Sequence, residues 1–410
     1  MMSSDLNPED ATRPATAGSA DASYDAADYR MQVVDDPARI AAPDWQRLLA
    51  ADRADGGAPA NPFVDHRFLA ALSASGSVGG RTGWLPRIAL LERDRQLVAA
   101  APLYEKHHSY GEYVFDWAWA DAYQRNGLEY YPKGLVAVPF TPVPGPRLLA
   151  VDRAARGALV AGLLQLAGEL GWSSLHVLFP DAVDAQALAG HRLLERKGVQ
   201  FHWHNPGFAS FDAFVATLAQ PKRKKILAER RKVRDAGIRV DTIEGPAITG
   251  RHWDLFDRCY RNTYREHHST PYLTREFFRN IGAAMPEHLV LFVATPVAGG
   301  APIAASLLFH DAEALYGRYW GSLAYVPCLH FEASYYAPIE WAIARGLKRF
   351  EGGAQGEHKM ARGFLPVATR SAHWLAHPAF NDAVARFLER ETGGVDAYLD
   401  ELREHSPLRK

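Results

Sequence analysis

The 410-residue chain is poor in cysteine, since Cys259 and Cys328 are the only two. Two cysteines cannot build a framework of several disulfide bonds, which favours a reducing compartment. The sequence also lacks any run of about 18 consecutive apolar residues, the length that a transmembrane helix needs. Its first 30 residues lack the apolar core of a secretory signal. These absences predict a cytoplasmic protein that has no membrane span.

Neither sign of charge is in excess, because 46 Lys and Arg residues are matched by 47 Asp and Glu residues, for a formal net charge of −1. A protein that binds nucleic acid over much of its surface is usually basic, so only a local basic patch stays open. Apolar residues make up 48% of the chain, which is enough for a packed core. Residues 1–31 are instead rich in Ala, Ser, Thr and Asp, and we expect a disordered tail there.

A weak internal repeat is the most informative pattern in the sequence. Residues 62–72 and 271–281 both begin with proline and an aromatic residue, and both predict a helix. After each of them, two short apolar runs are separated by a turn, as in a buried hairpin. Those runs are 88–92 and 97–104 in the first copy and 289–294 and 303–309 in the second.

Each copy continues with an apolar helix, predicted over 159–170 or 335–344, and a further strand. Gly171 and Gly346 follow these helices, and glycine is the common residue just past a helix end. The pattern predicts an α/β fold made of two copies of one unit, with a final helix that packs on the second copy, whole or broken at Gly393-Gly394. The predicted ranges are 32–204, 205–385 and, for the C-terminal helix, 386–410. The alternative is that two unrelated α/β segments share the pattern by chance.

Segments 115–123 and 351–364 resemble the Fem-like family of predicted N-acyltransferases, a group of the GNAT superfamily described as acting in peptidoglycan biosynthesis or recognition. The basic run 222–234 followed by Gly237 resembles the same family. The resemblance implies two tandem GNAT-like units, each with a mixed, mostly antiparallel sheet flanked by helices. It also implies an N-acyltransferase that moves an acyl group from a thioester, acyl-CoA or a carrier, to an amine of a small molecule or cell-envelope precursor.

Two other functions stay open. Fem-type enzymes take their acyl group from aminoacyl-tRNA, and the pyrophosphate loop of acyl-CoA enzymes is not evident after either hairpin. The long coiled-coil insertion of some Fem enzymes is missing as well. The co-substrate is then acyl-CoA or aminoacyl-tRNA, and we expect no permanently bound cofactor. The remaining alternative is a non-catalytic module that binds a peptide or muropeptide.

Amide formation by acyl transfer needs a base for the attacking amine and a group that stabilises the oxyanion. Lys359 with Gly363-Phe364 resembles the Lys-x-x-x-Gly-Phe arrangement of Fem-type active sites, which implies that Lys359 stabilises the oxyanion or a donor phosphate. Glu357 or His358 is the predicted base. The alternative is a solvated loop with ordinary ion pairs.

The same segment offers contacts to a substrate. Gly352-Gly353 follows an apolar strand, and glycine lets the backbone approach a ligand closely. The predicted substrate-binding residues of this segment are Glu351, Gln355 and Arg362.

Aromatic residues interleaved with polar ones make two further candidate surfaces for an amine-bearing substrate. The first set comprises Asp116, Trp117, Trp119, Tyr123, Asn126, Tyr130 and Tyr131, with Asp121 as a base or as the partner of an ammonium group. The second set comprises Tyr316, Tyr319, Trp320, His330 and Glu332, where a strand enters a helix. The alternatives are an aromatic core for the first set, and a capping Glu and a core His for the second.

The run 222–234 holds eight Lys and Arg residues and a single acid, Glu229. Such a helix can bind the phosphates of CoA or tRNA, or it can be a solvated face. The phosphate-binding candidates are Lys222, Arg223, Lys224, Lys225, Arg230 and Arg231. No metal site is predicted, because adjacent pairs such as His107-His108 project their side chains in different directions.

Overall fold

The structure is a computed structural model, and it describes residues 28–354 and 356–408 except for the side chains of Ala354 and Glu357. The predicted tail, residues 1–31, therefore lies almost wholly outside the described residues. Its last part differs from the prediction, because residues 29–31 already belong to the first strand.

Strands and helices are interspersed along both parts of the chain. The first part forms β1 (Tyr29–Val34), α1 (Ala42–Ala54), α2 (His66–Ala74), β2 (Trp84–Pro86), β3 (Ile88–Arg93), β4 (Gln96–Ala101), β5 (Leu103–Lys106), α3 (Trp117–Arg125), β6 (Lys133–Val136), β7 (Leu149–Ala150), α4 (Arg153–Glu169), β8 (Ser174–Leu178), α5 (Ala182–Gly190) and β9 (Leu194–His204). The second part forms α6 (Phe211–Ala216), α7 (Gln220–Asp235), β10 (Ile238–Glu244), α8 (Gly250–Glu266), α9 (Arg275–Ala284), β11 (Leu289–Pro296), β12 (Ala304–His310), β13 (Ala314–Ser322), α10 (Leu329–Phe331), a π-helix (Glu332–Tyr336), α11 (Ala337–Ala344), β14 (Arg349–Ala354), a 3-10 helix (Glu357–Arg362), β15 (Leu365–Leu375) and α12 (Pro378–Glu404).

The chain divides into two compact units. Unit 1 comprises the described residues up to 73, residues 78–198 and residues 369–397, and unit 2 comprises 74–77, 199–368 and the described residues from 398 onward. Residues 369–385 therefore group with the first unit, whereas the sequence assigned them to the second.

Most of α12 also belongs to unit 1, contrary to the expectation that it packs on the second copy. Its Phe380, Val384 and Leu388 pack in one cluster with Trp119 and Tyr123. The helix begins at Pro378, eight residues before the predicted start, and continues through Gly393-Gly394 without a break. Amphipathic spacing predicts a buried face but does not identify the surface that covers it.

Both units repeat one order of elements: a strand, two helices and a hairpin. In unit 1 the order is β1, α1, α2, β3 and β4, and in unit 2 it is β10, α8, α9, β11 and β12. In each unit the first strand pairs antiparallel with the first strand of the hairpin. The hairpins are the predicted ones, and the first turns at Asp94 and Arg95, whose φ values are 52° and 63°. The predicted duplicated α/β fold is confirmed.

The predicted strand 97–104 is interrupted at Pro102, because proline has no N–H to donate to a neighbouring strand. Before this residue, β4 pairs with β3 and β7. After it, β5 pairs with β2 and β6, and β6 pairs in parallel with β8. Pro102 therefore divides one apolar run between two sheets of unit 1.

Unit 2 contains the sheet that carries the candidate site. Strands β10 to β13 are antiparallel neighbours, β13 pairs in parallel with β14, and β14 pairs with β9. Their core side chains include Phe292, Leu308 and Ile339. None of the described helices is both long and apolar enough to cross a membrane, α12 included.

Candidate active site

Three segments of unit 2 carry the residues predicted for acyl transfer. They are the end of β14, the 3-10 helix Glu357–Arg362, and the connection from β13 through α10 into the π-helix. Because β13 and β14 run parallel, the loops that leave their carboxyl ends start at the same edge of the sheet. Gln355 and the side chain of Glu357 lie outside the described residues.

Lys359 is buried, with only 3% of its surface exposed. Its Nζ donates a hydrogen bond to the carbonyl oxygen of Gly353 at 3.0 Å. Burial, and then the positive charge of Arg318, lowers the pKa of Lys359 from 10.5 to about 8. The ammonium group is therefore still mainly charged at pH 7. A cation held in this way can stabilise negative charge that develops beside it.

The glycines at the end of β14 are packed against the side chain of Lys359. A Cβ atom at Gly352 would lie 3.1 Å from Cε1 of Phe364 and 3.2 Å from Cδ of Lys359. Gly353 and Gly356 have φ values of +80° and +109°, which residues with side chains rarely adopt. The close approach predicted for this backbone is thus made, among the described residues, by the protein's own lysine.

His330 lies among aromatic rings next to this lysine. Its ring centroid is 5.3 Å from that of Trp320 and 5.6 Å from that of Tyr335. Burial, and then the charges of His358, Arg362 and Lys359, lowers the pKa of His330 to about 4. His330 is therefore a neutral imidazole at pH 7.

His358 is the exposed member of the pair of histidines. Its ring is 6.2 Å from that of Tyr335 and 6.3 Å from that of Phe331. Desolvation, and then the charges of Arg362 and Lys359, lowers the pKa of His358 below its ordinary value of 6.5. An exposed neutral imidazole can accept a proton, which agrees with the role predicted for His358.

Glu351 is enclosed, with 5% of its surface exposed. Arg349 Nε donates to its Oε1 at 3.0 Å, and His202 Nε2 lies 3.9 Å from its Oε2. Burial raises the pKa of Glu351 to about 7, against the effect of Arg349. A substrate contact by Glu351 would require this pairing to open.

Arg362 has two partners that the sequence did not single out, Glu229 and Tyr336. Its Nη2 donates to both oxygens of Glu229, at 3.2 and 3.0 Å, and the Tyr336 hydroxyl donates to the same carboxylate. The sequence did contain a signal, because Glu229 shares the helical spacing of the apolar Ile226 and Val233 and so lies on their face.

The other residues of the second aromatic set have structural partners. Tyr316 is fully buried, and its hydroxyl donates to Asp311 at 2.7 Å. Tyr319 packs against the ring of Tyr260 at 5.7 Å. Glu332 accepts hydrogen bonds from Arg230 at 2.9 to 3.2 Å and is therefore not the free helix-end carboxylate that was expected.

The π-helix that contains Glu332 lies directly before Pro338. Proline lacks the N–H that would bond to the carbonyl oxygen four residues earlier, so the change of helical register has a local cause. The sequence predicted an ordinary helix from Tyr335, and the proline was the available signal for an irregular start. A π-helix turn of this kind is frequent at functional sites.

The first aromatic set lies in unit 1, and most of its members are structural. Trp119, Tyr123 and Tyr130 belong to a hydrophobic cluster, the alternative stated for them above. Asp121 is exposed and pairs with Arg125 at 2.9 Å. The remaining members are placed on the loop and ends of α3: Trp117 is 41% exposed, Asn126 bonds to the carbonyl of Ala122, and Tyr131 bonds to Ser109.

Asp116 is part of a buried charged network that the sequence did not reveal. Lys133, which is 0% exposed, donates to Ser109 at 2.9 Å, to Glu112 at 2.9 Å and to Asp116. Tyr130 donates to Asp116 at 2.7 Å. Although burial acts in the opposite direction, the ammonium of Lys133 holds the pKa of Asp116 well below its ordinary value. Asp116 therefore has partners within the protein and anchors the loop before α3.

The cations of α7 are divided between two environments. Lys224, Lys225 and Arg231 are exposed, and Lys222 and Arg223 are half-buried. The exposed face also holds Lys232 and Arg234, which were not among the named candidates. Arg230 differs, because it is turned toward Glu332 and Glu340 and its guanidinium lies 4.5 Å from the ring centre of Phe211. It is an internal ion-pair partner rather than a free phosphate ligand.

Unit 2 also has a surface cavity of about 320 Å³ at the turn between β12 and β13, and it contains none of the predicted residues. Its Arg345 already pairs with Glu244 and its His288 with the carbonyl oxygen of His310. Among residues 28–354 and 356–408, no group of three or more His, Cys, Asp or Glu side chains could hold a metal ion.

Comparison with known families gives a match over most of the chain. The family is FemAB-like, described as peptidoglycan biosynthesis/recognition, and it matches residues 36–410. The Fem-like resemblance inferred from the sequence is confirmed. Comparison with curated protein sequences gives no match.

Solved structures with the same fold include three with informative names. FemX has a TM-score of 0.50 and 12% identity, over 84% of this chain and 98% of FemX. The C-terminal domain of a candidate lysylphosphatidylglycerol synthetase from Agrobacterium fabrum has a TM-score of 0.50 and 10% identity, over 85% of this chain and 96% of that domain. A tandem GNAT protein from the clavulanic acid pathway has a TM-score of 0.46 and 12% identity, over 85% and 99%. The first two share the fold of this chain.

Proposed function

The chain belongs to the FemAB-like family, and from that premise we propose that unit 2 transfers an acyl or aminoacyl group to an amine. The observation that carries the proposal is Lys359, a buried ammonium bonded to the carbonyl oxygen of Gly353 within the Fem-type motif. The description of the family supports an acceptor amine on a peptidoglycan precursor or a related small molecule.

The reaction assigns one step to each of two neighbouring residues. The neutral acceptor amine attacks the carbonyl carbon of an ester or thioester, and His358 takes the proton that the nitrogen loses. Lys359 stabilises the oxyanion of the tetrahedral intermediate. The C–O or C–S bond to the donor then breaks, the amide forms, and the leaving oxygen or sulfur receives a proton. No covalent intermediate with the enzyme is required.

The exposed face of α7 favours aminoacyl-tRNA as the donor. Its cations extend from Lys224 to Arg234, about 15 Å along the helix at 1.5 Å per residue. One compact pyrophosphate, as in CoA, cannot contact a row of this length, whereas a nucleic-acid backbone carries regularly spaced phosphates. Acyl-CoA, the donor put first on the sequence, is kept as the second candidate.

The test is an amide-formation assay with each donor in turn. Purified protein is incubated with aminoacyl-tRNA or acyl-CoA and with peptidoglycan-type peptides that carry a free amine, and mass spectrometry detects the product. We expect amide product with aminoacyl-tRNA. Product with acyl-CoA alone would overturn the assignment of the donor, and no product with any donor, together with binding of the peptide, would identify the non-catalytic binding module instead.

Lys359→Met should lower kcat by about 10²- to 10³-fold, the usual effect of removing one oxyanion-stabilising donor. Binding of the donor should be retained, as measured by filter binding. The matched control is Lys348→Met, which removes an exposed lysine paired with Glu313 and should leave kcat unchanged. Equal kcat values for the two variants would exclude Lys359 from the reaction.

A further inference from the structure

Helix α7 has an inner face as well as its basic outer face. Ile226, Glu229 and Val233 are buried on the inner face, and Glu229 is 7% exposed. A buried carboxylate in a helix that is otherwise basic is costly unless charged partners satisfy it. Its partners therefore indicate what the residue does.

The carboxylate of Glu229 holds two segments of the candidate site. It accepts two hydrogen bonds from Arg362, the last residue of the 3-10 helix, and one from Tyr336, the last residue of the π-helix. Arg362 is 2% exposed, and its Nη1 donates to the carbonyl oxygen of His358 at 2.7 Å. The same guanidinium lies 3.4 Å from the ring centre of Phe331. A continuous path of bonds thus runs from Glu229 through Arg362 to the backbone of His358.

The next residue of α7 bonds to the other end of the π-helix. Arg230 donates to Glu332, its first residue, and to Glu340 on α11. Two consecutive residues of one helix therefore fix both ends of the π-helix, and Glu229 also fixes the loop that carries His358 and Lys359. These bonds join residues more than 100 positions apart, so they hold the loop in a way that local turn geometry cannot.

We propose that Glu229 is a positioning residue, which acts through Arg362 to hold His358 and Lys359 in place for the transfer reaction. The proposal rests on the proposed function for its consequence in catalysis, but the positioning itself can be measured without a substrate. The backbone N–H groups of Lys359 and Phe364 bond to the carbonyl oxygens of Gly356 and Lys359, at 2.9 and 3.3 Å. Their exchange with solvent therefore reports opening of this loop.

The test compares hydrogen–deuterium exchange of the full-length protein and of its Glu229→Gln variant. We expect exchange in peptides that cover 356–364 to be at least about tenfold faster in the variant, with exchange in β11 and β12 unchanged. Glu229→Asp, which keeps the charge, should restore part of the protection. Asp235→Asn is the matched control, since it removes an exposed carboxylate from the end of the same helix and should change neither region.

Two results would overturn the proposal: unchanged exchange over 356–364, or an equal acceleration in β11 and β12, which would indicate a general structural role. If Glu229→Gln does not fold, Tyr336→Phe replaces it, because it removes one hydrogen bond to Glu229 and leaves the pair with Arg362 intact. That variant should give a smaller acceleration confined to the same peptides.

Where turnover is measured, Glu229→Gln should lower kcat while KM for the donor stays within about twofold, because binding of the donor is assigned to the outer face of α7. A change in KM alone would contradict the positioning role. A protein without turnover would refute the proposed function and still leave the exchange result to decide whether Glu229 holds the loop.

Discussion

His358 and Lys359 are adjacent in the sequence and have opposite environments in the structure. The imidazole of His358 is exposed, whereas the ammonium of Lys359 is bonded to Gly353 inside the loop. Both pKa values are lowered by desolvation, with the neighbouring guanidinium of Arg362 acting on His358 and that of Arg318 on Lys359. At pH 7 one residue is thus a neutral base and the other a cation, although the side chains follow each other in the chain.

These pKa shifts predict a bell-shaped dependence of kcat/KM on pH. Activity should rise as His358 loses its proton, below pH 6.5, and fall as Lys359 loses its proton near pH 8. In Lys359→Arg the decrease on the alkaline side should disappear from this range, since a guanidinium keeps its charge. Initial rates measured from pH 5 to pH 10 check this prediction. An alkaline decrease that persists in Lys359→Arg would assign it to another group.

At the scale of secondary-structure elements, glycine has two different roles in this chain. Gly352 lies at the end of β14, where the ring of Phe364 and the stem of Lys359 leave no room for a methyl group. Gly393 and Gly394 lie inside α12, where an added Cβ atom has no neighbour within 4 Å. The sequence suggested a close approach at the first position and a break in the helix at the second, and the break does not occur.

Gly352→Ala should destabilise the protein by about 1–3 kcal/mol, the usual cost of forcing an extra carbon into a packed site. Urea unfolding measures the effect. Because the new methyl group would displace Lys359, transfer activity should decrease as well. Gly250→Ala is the control at an open position of α8, and it should change the free energy of unfolding by less than the variant at Gly352.

Gly393→Ala should have the opposite sign and stabilise the protein by about 0.5–1 kcal/mol, because alanine loses less backbone entropy in a helix than glycine does. The position is exposed and has no positive φ, so the substitution introduces no strain. A higher midpoint of urea unfolding is the expected result. A lower midpoint would show that the helix needs its glycine for a contact or a bend.

At the scale of the whole molecule, the two units use one order of elements for different interiors. Unit 2 carries the Fem-type motif at its sheet edge. Unit 1 encloses charge instead, with Lys133 among Glu112, Asp116 and Ser109. Lys106, which is also fully buried, lies 3.9 Å from the ring centre of Trp84, and burial lowers its pKa to about 7. A duplicated fold therefore does not imply a duplicated site.

Lys133→Met should destabilise the protein by about 3–5 kcal/mol, because it leaves Glu112 and Asp116 buried without their cation. The triple variant that adds Glu112→Gln and Asp116→Asn should recover part of this loss. Lys197→Met is the control, since it removes a partly exposed ion pair with Asp396 and should cost no more than about 1 kcal/mol. Equal losses for Lys133→Met and Lys197→Met, measured by urea unfolding, would contradict the prediction.

The sequence by itself determined what depends on neighbouring residues: the paired hairpins, the glycines after helices, the repeated order of elements and the motif around Lys359. Each of these follows from spacing within a few turns or strands, so a single pass along the chain contains the necessary information. Only the tertiary structure decided that α12 groups mainly with unit 1, that Glu229 and Arg230 turn inward, and that Lys133 is buried. Those outcomes depend on contacts such as that of Glu229 with Arg362, 133 residues apart, whose free energy arises only when the fold brings both partners out of water.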